Sequence, residues 1–185
     1  MSYLYFTDRP LEDTASVTTG AAVAVAEAIE SFVGRKMRIK WVNDIYDERG
    51  KVCGILTEAV SFGETVAIII GVGINIGDGE FPEELRGIAS SIGSVDGRES
   101  ELIAAIADGL ARIAEDTEHR YMEGYRKRFM LEGLEVDLLR ADEIVAHGSV
   151  VGVDDEGGLI FLPDGESEAV IIRSGEVSVR GFKKE

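Results

Sequence analysis

The sequence predicts an α/β (α+β) fold: a mixed sheet with packed helices, followed by a small antiparallel β-barrel. Three observations carry this. Residues 36–76 hold four strand signals in succession, joined by polar turns. Apolar residues recur at helical spacing on either side, at 16–32 and 99–114. Beyond Gly133 the pattern changes to short apolar runs, about ten residues apart, with turn residues between them. The expected division is therefore 1–133 for the first domain and 134–185 for the second.

Residues 2–6 read as a strand that needs partners from elsewhere in the chain. Residues 11–14 follow Pro10 as a polar loop. In the helix at 16–32, Val17, Ala21, Val25, Ala28, Ile29 and Phe32 share one face, and Gly34 ends it. Its many alanines suit close packing on a sheet. From 36 to 41, Lys36, Arg38 and Lys40 alternate with Met37, Ile39 and Trp41, the period of a half-buried strand. Ile45 and Tyr46 lead into the turn Asp47-Glu48-Arg49-Gly50, and residues 51–60 return as a hairpin. A turn at Ser61-Phe62-Gly63-Glu64 precedes residues 65–70, a β-branched run typical of a strand covered on both faces. It leads into Gly71-Val72-Gly73-Ile74-Asn75.

Residues 77–97 read as a loop rich in Gly, Ser and acidic residues, with one helical turn at 81–85. Leu102, Ile103, Ile106, Leu110 and Ile113 make the helix at 99–114 amphipathic. A further helix at 118–132 sets Tyr121, Tyr125 and Phe129 four apart, the spacing of a core stripe. In the second domain, turns are expected at 154–158, at Pro163-Asp164-Gly165 and at Ser174-Gly175. Such a short barrel has a marginal core of its own and should pack on the first domain.

The 185 residues carry 35 acidic and 19 basic side chains, a formal net charge of −16. A nucleic-acid binder needs a basic face, so binding to DNA is not expected. Arg35, Lys36, Arg38 and Lys40 nevertheless cluster, which suits either an anionic ligand or a charged strand edge kept in solvent. Cys53 is the single cysteine and excludes an internal disulfide; it reads as a small buried hydrophobe in a reducing, cytoplasmic setting. No run of 18 apolar residues and no leader pattern occurs, so no membrane association is expected.

Lys40 is the sharpest chemical candidate. A lysine at a strand end among other cations can stabilise charge developing on a carboxylate and a phosphate. Asn43 offers a donor and an acceptor, Asp44 can hold magnesium or orient a neighbour, and Glu58 on the returning strand can face the same space. On pattern alone, a hairpin with a polar loop is the favoured account of these residues. Gly71 and Gly73 let a ligand approach the backbone, although they do not form a dinucleotide fingerprint. His119 and His147 are far apart in sequence and, with one cysteine, give no metal-ligand spacing.

The stretch KWVNDIYDERGKVCGILTE resembles the central signature of the biotin protein ligases, Lys-Trp-Pro-Asn-Asp-hydrophobic followed by Gly-Ile-Leu-x-Glu. GVGIN is similar to their later Gly-hydrophobic-Gly-hydrophobic-Asn element. SGEVSVR near the end resembles the Gly-Glu-hydrophobic-Ser-hydrophobic-Arg stretch of their C-terminal domain. Val42 stands where the family usually has proline.

The resemblance implies an α/β catalytic domain followed by a barrel of the Src-homology type. It implies a nucleotide-binding ligase for protein modification: biotin and ATP give biotinyl-adenylate, and the biotinyl group passes to a lysine on the biotin carrier protein domain of a biotin-dependent carboxylase. Lys40 would act on the carboxylate and α-phosphate. Asn43, Asp44, Gly71, Gly73, Asn75 and Arg180 would bind ATP and the adenylate; Lys40, Gly54, Ile55 and Leu56 would bind biotin. Asp44 and Glu58 would hold magnesium. Family members also carry an upstream glycine- and arginine-rich loop, which this sequence does not contain. The implied alternatives are a truncated or non-catalytic ligase-like binding protein, one half of a split ligase, or a lipoate or other acyl ligase of the same broad fold. An incomplete sheet would expose an apolar face, and a homodimer is the expected result.

Overall fold

The computed structural model describes residues 1–8, 15–79, 81–173 and 178–180. The loop expected at 11–14, the turn expected at Ser174-Gly175 and residues 181–185 lie outside the described residues.

Five strands form the first sheet: β1 (Ser2–Thr7), β2 (Arg38–Lys40), β3 (Asp44–Tyr46), β4 (Lys51–Phe62) and β5 (Thr65–Ile74). Their order is β1-β5-β4-β3-β2. The expected mixed sheet is antiparallel in all its ladders. β2 to β5 follow one another through turns or short returns, with no crossover helix among them. Among the described residues, parallel pairing is confined to isolated bridges, Ile39 to Phe129, Lys51 to Ala89 and Arg86 to Ala89. The strand expected at 36–41 is short, because the Met37 amide donates to Glu30 Oε1 at 2.8 Å instead of to a neighbouring strand. β4 and β5 run longer than expected. Gly63 takes φ 64°, so the turn closes on Gly63 and Glu64 alone and Phe62 already pairs with Thr65.

Helix α1 (Ala15–Val33) lies on one face of this sheet, with α2 (Glu99–Glu115) and α3 (Met122–Arg128) beside it. Ala21 to Ala26 are buried without a break, since α1 is covered on both sides. The window 16–33 is long and apolar enough to cross a membrane by composition, but about two thirds of it is buried inside the fold. It reads as a core helix. α3 is shorter than the helix expected at 118–132. Its start is delayed by His119, at φ 52°, and it ends where Phe129 turns extended to bridge Ile39. Tyr121 and Tyr125 are buried and Phe129 is half-buried against the core, as the spacing predicts. The helical turn expected at 81–85 is a 3-10 turn at Glu83–Leu85.

The second sheet comprises β6 (Glu135–Arg140), β7 (Glu143–Val153), β8 (Leu159–Pro163), β9 (Val170–Ile172) and β10 (Ser178–Arg180), all antiparallel in the order β10-β6-β7-β8-β9. Its inner face, with Val136, Leu138, Val150, Leu159, Phe161 and Val179, joins the core of the first domain in one cluster. Trp41 Nε1 donates to the Gly157 carbonyl at 2.9 Å. Gly157, at φ 84°, sits so close to Thr19 that a Cβ there would stand 2.6 Å from its methyl group. The expected packing of the barrel on the first domain is thus a fitted interface.

Candidate functional site

Strand alternation gives the first sheet two unlike faces. Ile39, Ile45, Cys53, Ile55, Val66, Ile68, Ile70 and Val72 are buried toward the helices. Arg38, Lys40, Asp44, Gly54, Leu56, Glu58, Val60, Gly71 and Gly73 share the opposite face, which no element covers among the described residues. Ladder pairing then sets Lys40 opposite Asp44, Asp44 opposite Gly54, and Gly54 opposite Gly73. This is one row across four strands, about 14 Å long at the usual strand spacing. Leu56 opposite Gly71 begins the next row along.

The glycines are the informative part of the row. None of Gly54, Gly71 and Gly73 needs a left-handed conformation. A Cβ at Gly71 would meet nothing nearer than 3.6 Å, and one at Gly73 nothing nearer than 3.8 Å. Glycine in a strand interior costs about 0.5–1 kcal/mol relative to alanine. Packing within the chain does not explain that cost. Bare backbone of this kind leaves room for the close approach of a flat group. Gly54 differs, because the Lys51 ammonium lies over it, 3.3 Å from where its Cβ would be.

Cations gather at the Lys40 end. Burial pushes the Lys40 ammonium below the usual lysine range; Asp44 opposes that, while Lys51 and Arg180 add to it. Lys51 Nζ pairs with Asp44 Oδ1 at 2.6 Å. Sequence reasoning missed Lys51, which reads there only as the first residue of a strand. Arg180 comes from the second sheet, where its guanidinium meets Asp142 at 2.6 Å. Lys40 and Lys51 thus flank Asp44, with Arg180 near enough to act on Lys40, and in a chain of net charge −16 such a local cationic field suits an anion.

Other expected residues sit differently. Ile55 is buried on the helix face, one step out of phase with Gly54 and Leu56, so its side chain does not reach the row. Asn43 donates its amide to the Ile55 carbonyl, clamping the turn after β2 onto β4. Asn75 donates to the carbonyls of Lys51 and Ser90, pinning the 88–93 segment to the sheet. Both amides are thus taken by the fold. Asp44 and Glu58 do not converge, since Glu58 lies four residues beyond Asp44's partner Gly54, about 13 Å along the strand. Leu56 is exposed beside the glycines. The free thiol of Cys53 is buried and pushed up to about 12, consistent with a small core residue. The segment at 77–97, expected as a free loop, is tied back by Arg35 to Ile92, by Arg49 to Ser91 and by a bridge between Gly77 and Gly93.

Residues 4–75 match the model of the biotin/lipoate A/B protein ligase family, and residues 133–180 match the biotin protein ligase C-terminal domain. The bifunctional ligase/repressor BirA of Bacillus spizizenii is 32% identical over 170 residues, covering 87% of this chain and 52% of that protein. A biotin–[acetyl-CoA-carboxylase] ligase of Paracoccus denitrificans is 27% identical over 173 residues, with coverages of 87% and 71%. Among solved structures, a mutant of the Aquifex aeolicus biotin protein ligase in complex with biotin superposes with a TM-score of 0.77 at 26% identity, covering 97% of this chain and 76% of that one. The chain spans about half the length of the BirA proteins it matches.

Proposed function

Because residues 4–75 match the biotin/lipoate A/B protein ligase family and residues 133–180 the biotin protein ligase C-terminal domain, we propose that the chain is a biotin ligase whose open sheet face activates biotin with ATP and passes it to a carrier protein. The observation that carries this reading is the row Lys40–Asp44–Gly54–Gly73, a cationic end joined to a backbone floor. Residues 1–133 are read as the catalytic unit and 134–185 as the barrel that brings Arg180 to it.

In the first step a biotin carboxylate oxygen bonds to the α-phosphorus of ATP, the bond to the bridging oxygen breaks, and pyrophosphate leaves. Lys40 is positioned to hold the carboxylate and the negative charge on the phosphoryl oxygens. Lys51, held by Asp44, and Arg180 add positive field at the same end. Gly54, Gly71 and Gly73 let flat groups lie close, with Leu56 as apolar flank. In the second step a carrier lysine amine attacks the acyl carbon, an amide forms, AMP leaves and the amine loses a proton. Catalysis here is positioning and charge stabilisation. Magnesium would accompany ATP, but Asp44 is paired with Lys51 and Glu58 lies apart, so no step is assigned to it.

The test is biotin-dependent pyrophosphate release from ATP by the chain, with lipoate in parallel. Release with biotin alone is the expected result. Release with lipoate alone would make this an acyl ligase of the same broad fold. Failure to release with either acid would leave a binding protein and overturn the catalytic reading.

The same open face carries Leu4, Phe6, Val60 and Phe62, each 45% or more exposed, away from the Lys40 end. An apolar strip of this kind suits a second copy of the chain, and a homodimer is proposed. Sedimentation at micromolar concentration should give twice the 20.0 kDa chain mass; a monodisperse monomer would sink the idea.

A further inference from the structure

Outside the row, one cluster joins an imidazole to carboxylates. Glu135 and Asp137 alternate on β6 and so face the same side. Asp137 is paired with His147 on β7, and Glu135 with Ser149. The turn after β8 brings Asp164 to the same place, its amide donating to the His147 carbonyl at 3.0 Å. Two strands and the turn after a third thus deliver one histidine and three carboxylates to one patch. Sequence spacing hides it, because the carboxylates lie 10 or more residues from His147 and the second histidine lies elsewhere.

The histidine is oriented. Its Nδ1 lies 2.8 Å from Asp137 Oδ1, which fixes the tautomer with the proton on Nδ1 and turns the Nε2 lone pair outward. Nε2 then faces Glu135 Oε2 and Asp164 Oδ2, each at 3.9 Å. Ser149 Oγ donates to the other oxygen of Glu135, which fixes that carboxylate too. The ligand atoms of Glu135, His147 and Asp164 lie within 4.8 Å of one another. Ligands about 2.1 Å from a tetrahedral ion stand about 3.4 Å apart, so the ligand atoms need to close by about 0.5 Å to at most about 1.4 Å, within the reach of exposed side chains. Among the described residues no lysine or arginine is paired with these carboxylates. Arg180, opposite Asp137 in the ladder, turns its guanidinium to Asp142.

We propose that Glu135, His147 and Asp164 form a binding site for a divalent transition ion such as zinc or manganese, with Asp137 orienting the imidazole. One imidazole and two carboxylates leave coordination positions for water and suit these ions better than magnesium, which prefers oxygen alone. An ion there ties β6, β7 and the turn after β8 together, and stabilises the small second domain by mass action. The site is independent of the ligase reading, and its test uses neither biotin nor ATP.

The untagged chain is titrated with zinc(II) by calorimetry and with substoichiometric manganese(II) by NMR of the histidine rings. The expected result is one zinc per chain, a raised unfolding temperature, and broadening of His147 with His119 left sharp. His147→Gln, at an exposed position, should remove zinc binding and the thermal shift, while Asp137→Asn weakens affinity about 10- to 100-fold. Zinc affinity unchanged in His147→Gln, or equal broadening of the two histidines, would overturn the proposal.

Discussion

The two faces of the five-stranded sheet come from the same strands, one residue out of step, and they follow different rules. On the helix face nearly every residue is a buried aliphatic whose identity packing explains. On the open face, packing explains almost nothing. Glycines stand where alanine would fit, lysines gather around one aspartate, and leucine and phenylalanine are left exposed. A residue that the fold does not require, kept where it costs stability, points to something outside the fold. That is why the glycine floor says more about function than the hydrophobic core does.

Crossed substitutions test whether the faces separate. On the open face, Lys40→Ala should cut biotin-dependent pyrophosphate release about 10³-fold, or about 4 kcal/mol of transition-state stabilisation, while the urea unfolding midpoint barely moves. On the helix face, Ile68→Ala empties a fully buried position and should lower stability by about 3 kcal/mol, yet leave turnover intact at temperatures where the protein stays folded. If Lys40→Ala destabilised the chain as much as Ile68→Ala, or if folded Ile68→Ala were inactive, the separation of roles would fail.

Much of the helix face was legible in the sequence, because alternation and helical spacing are local signals. Met37, Ile39 and Trp41 on one side of a strand, and Tyr121 and Tyr125 on one side of a helix, needed no partner to be read. The row on the open face was only half legible. Lys40, Gly54, Gly71 and Gly73 could be named, but their alignment depends on ladder register across four strands, which no single segment encodes. Ile55 stands apart from its neighbours Gly54 and Leu56 because a motif names consecutive residues, whereas a strand sends their side chains to opposite faces. Asn43 and Asn75 stand out in the sequence by their polar type, while their hydrogen-bond partners do not. Their partners, the carbonyls of Ile55, Lys51 and Ser90, lie 12 to 24 residues away and become visible only in three dimensions. The Glu135, His147 and Asp164 cluster was hidden for the same reason.

Asp47 sharpens the contrast from the other side, as a charged residue with the burial of a core one. It sits in the turn between β3 and β4 at 4% exposure. Its carboxylate accepts from the Arg49 backbone and guanidinium and from the Gly50 amide, with Arg35 at 3.5 Å. Burial alone would raise its pKa. The hydrogen bonds and charge of Arg49, with the Gly50 amide, outweigh that and hold it below the usual carboxylate range. A depressed folded-state pKa means that the ionised group stabilises the fold above the unfolded value, near 3.9, and that this contribution fades as pH falls through the lower folded value. Asp47→Asn should therefore cost about 2 kcal/mol at pH 7, the worth of charge-assisted hydrogen bonds. The gap between the two proteins should narrow progressively below about pH 4. Urea unfolding of both across pH 3 to 7 measures it. A gap that stayed constant down to pH 3 would mean that Asp47 acts through shape and neutral hydrogen bonds, as a helix-face residue does, and that its charge is incidental to the turn.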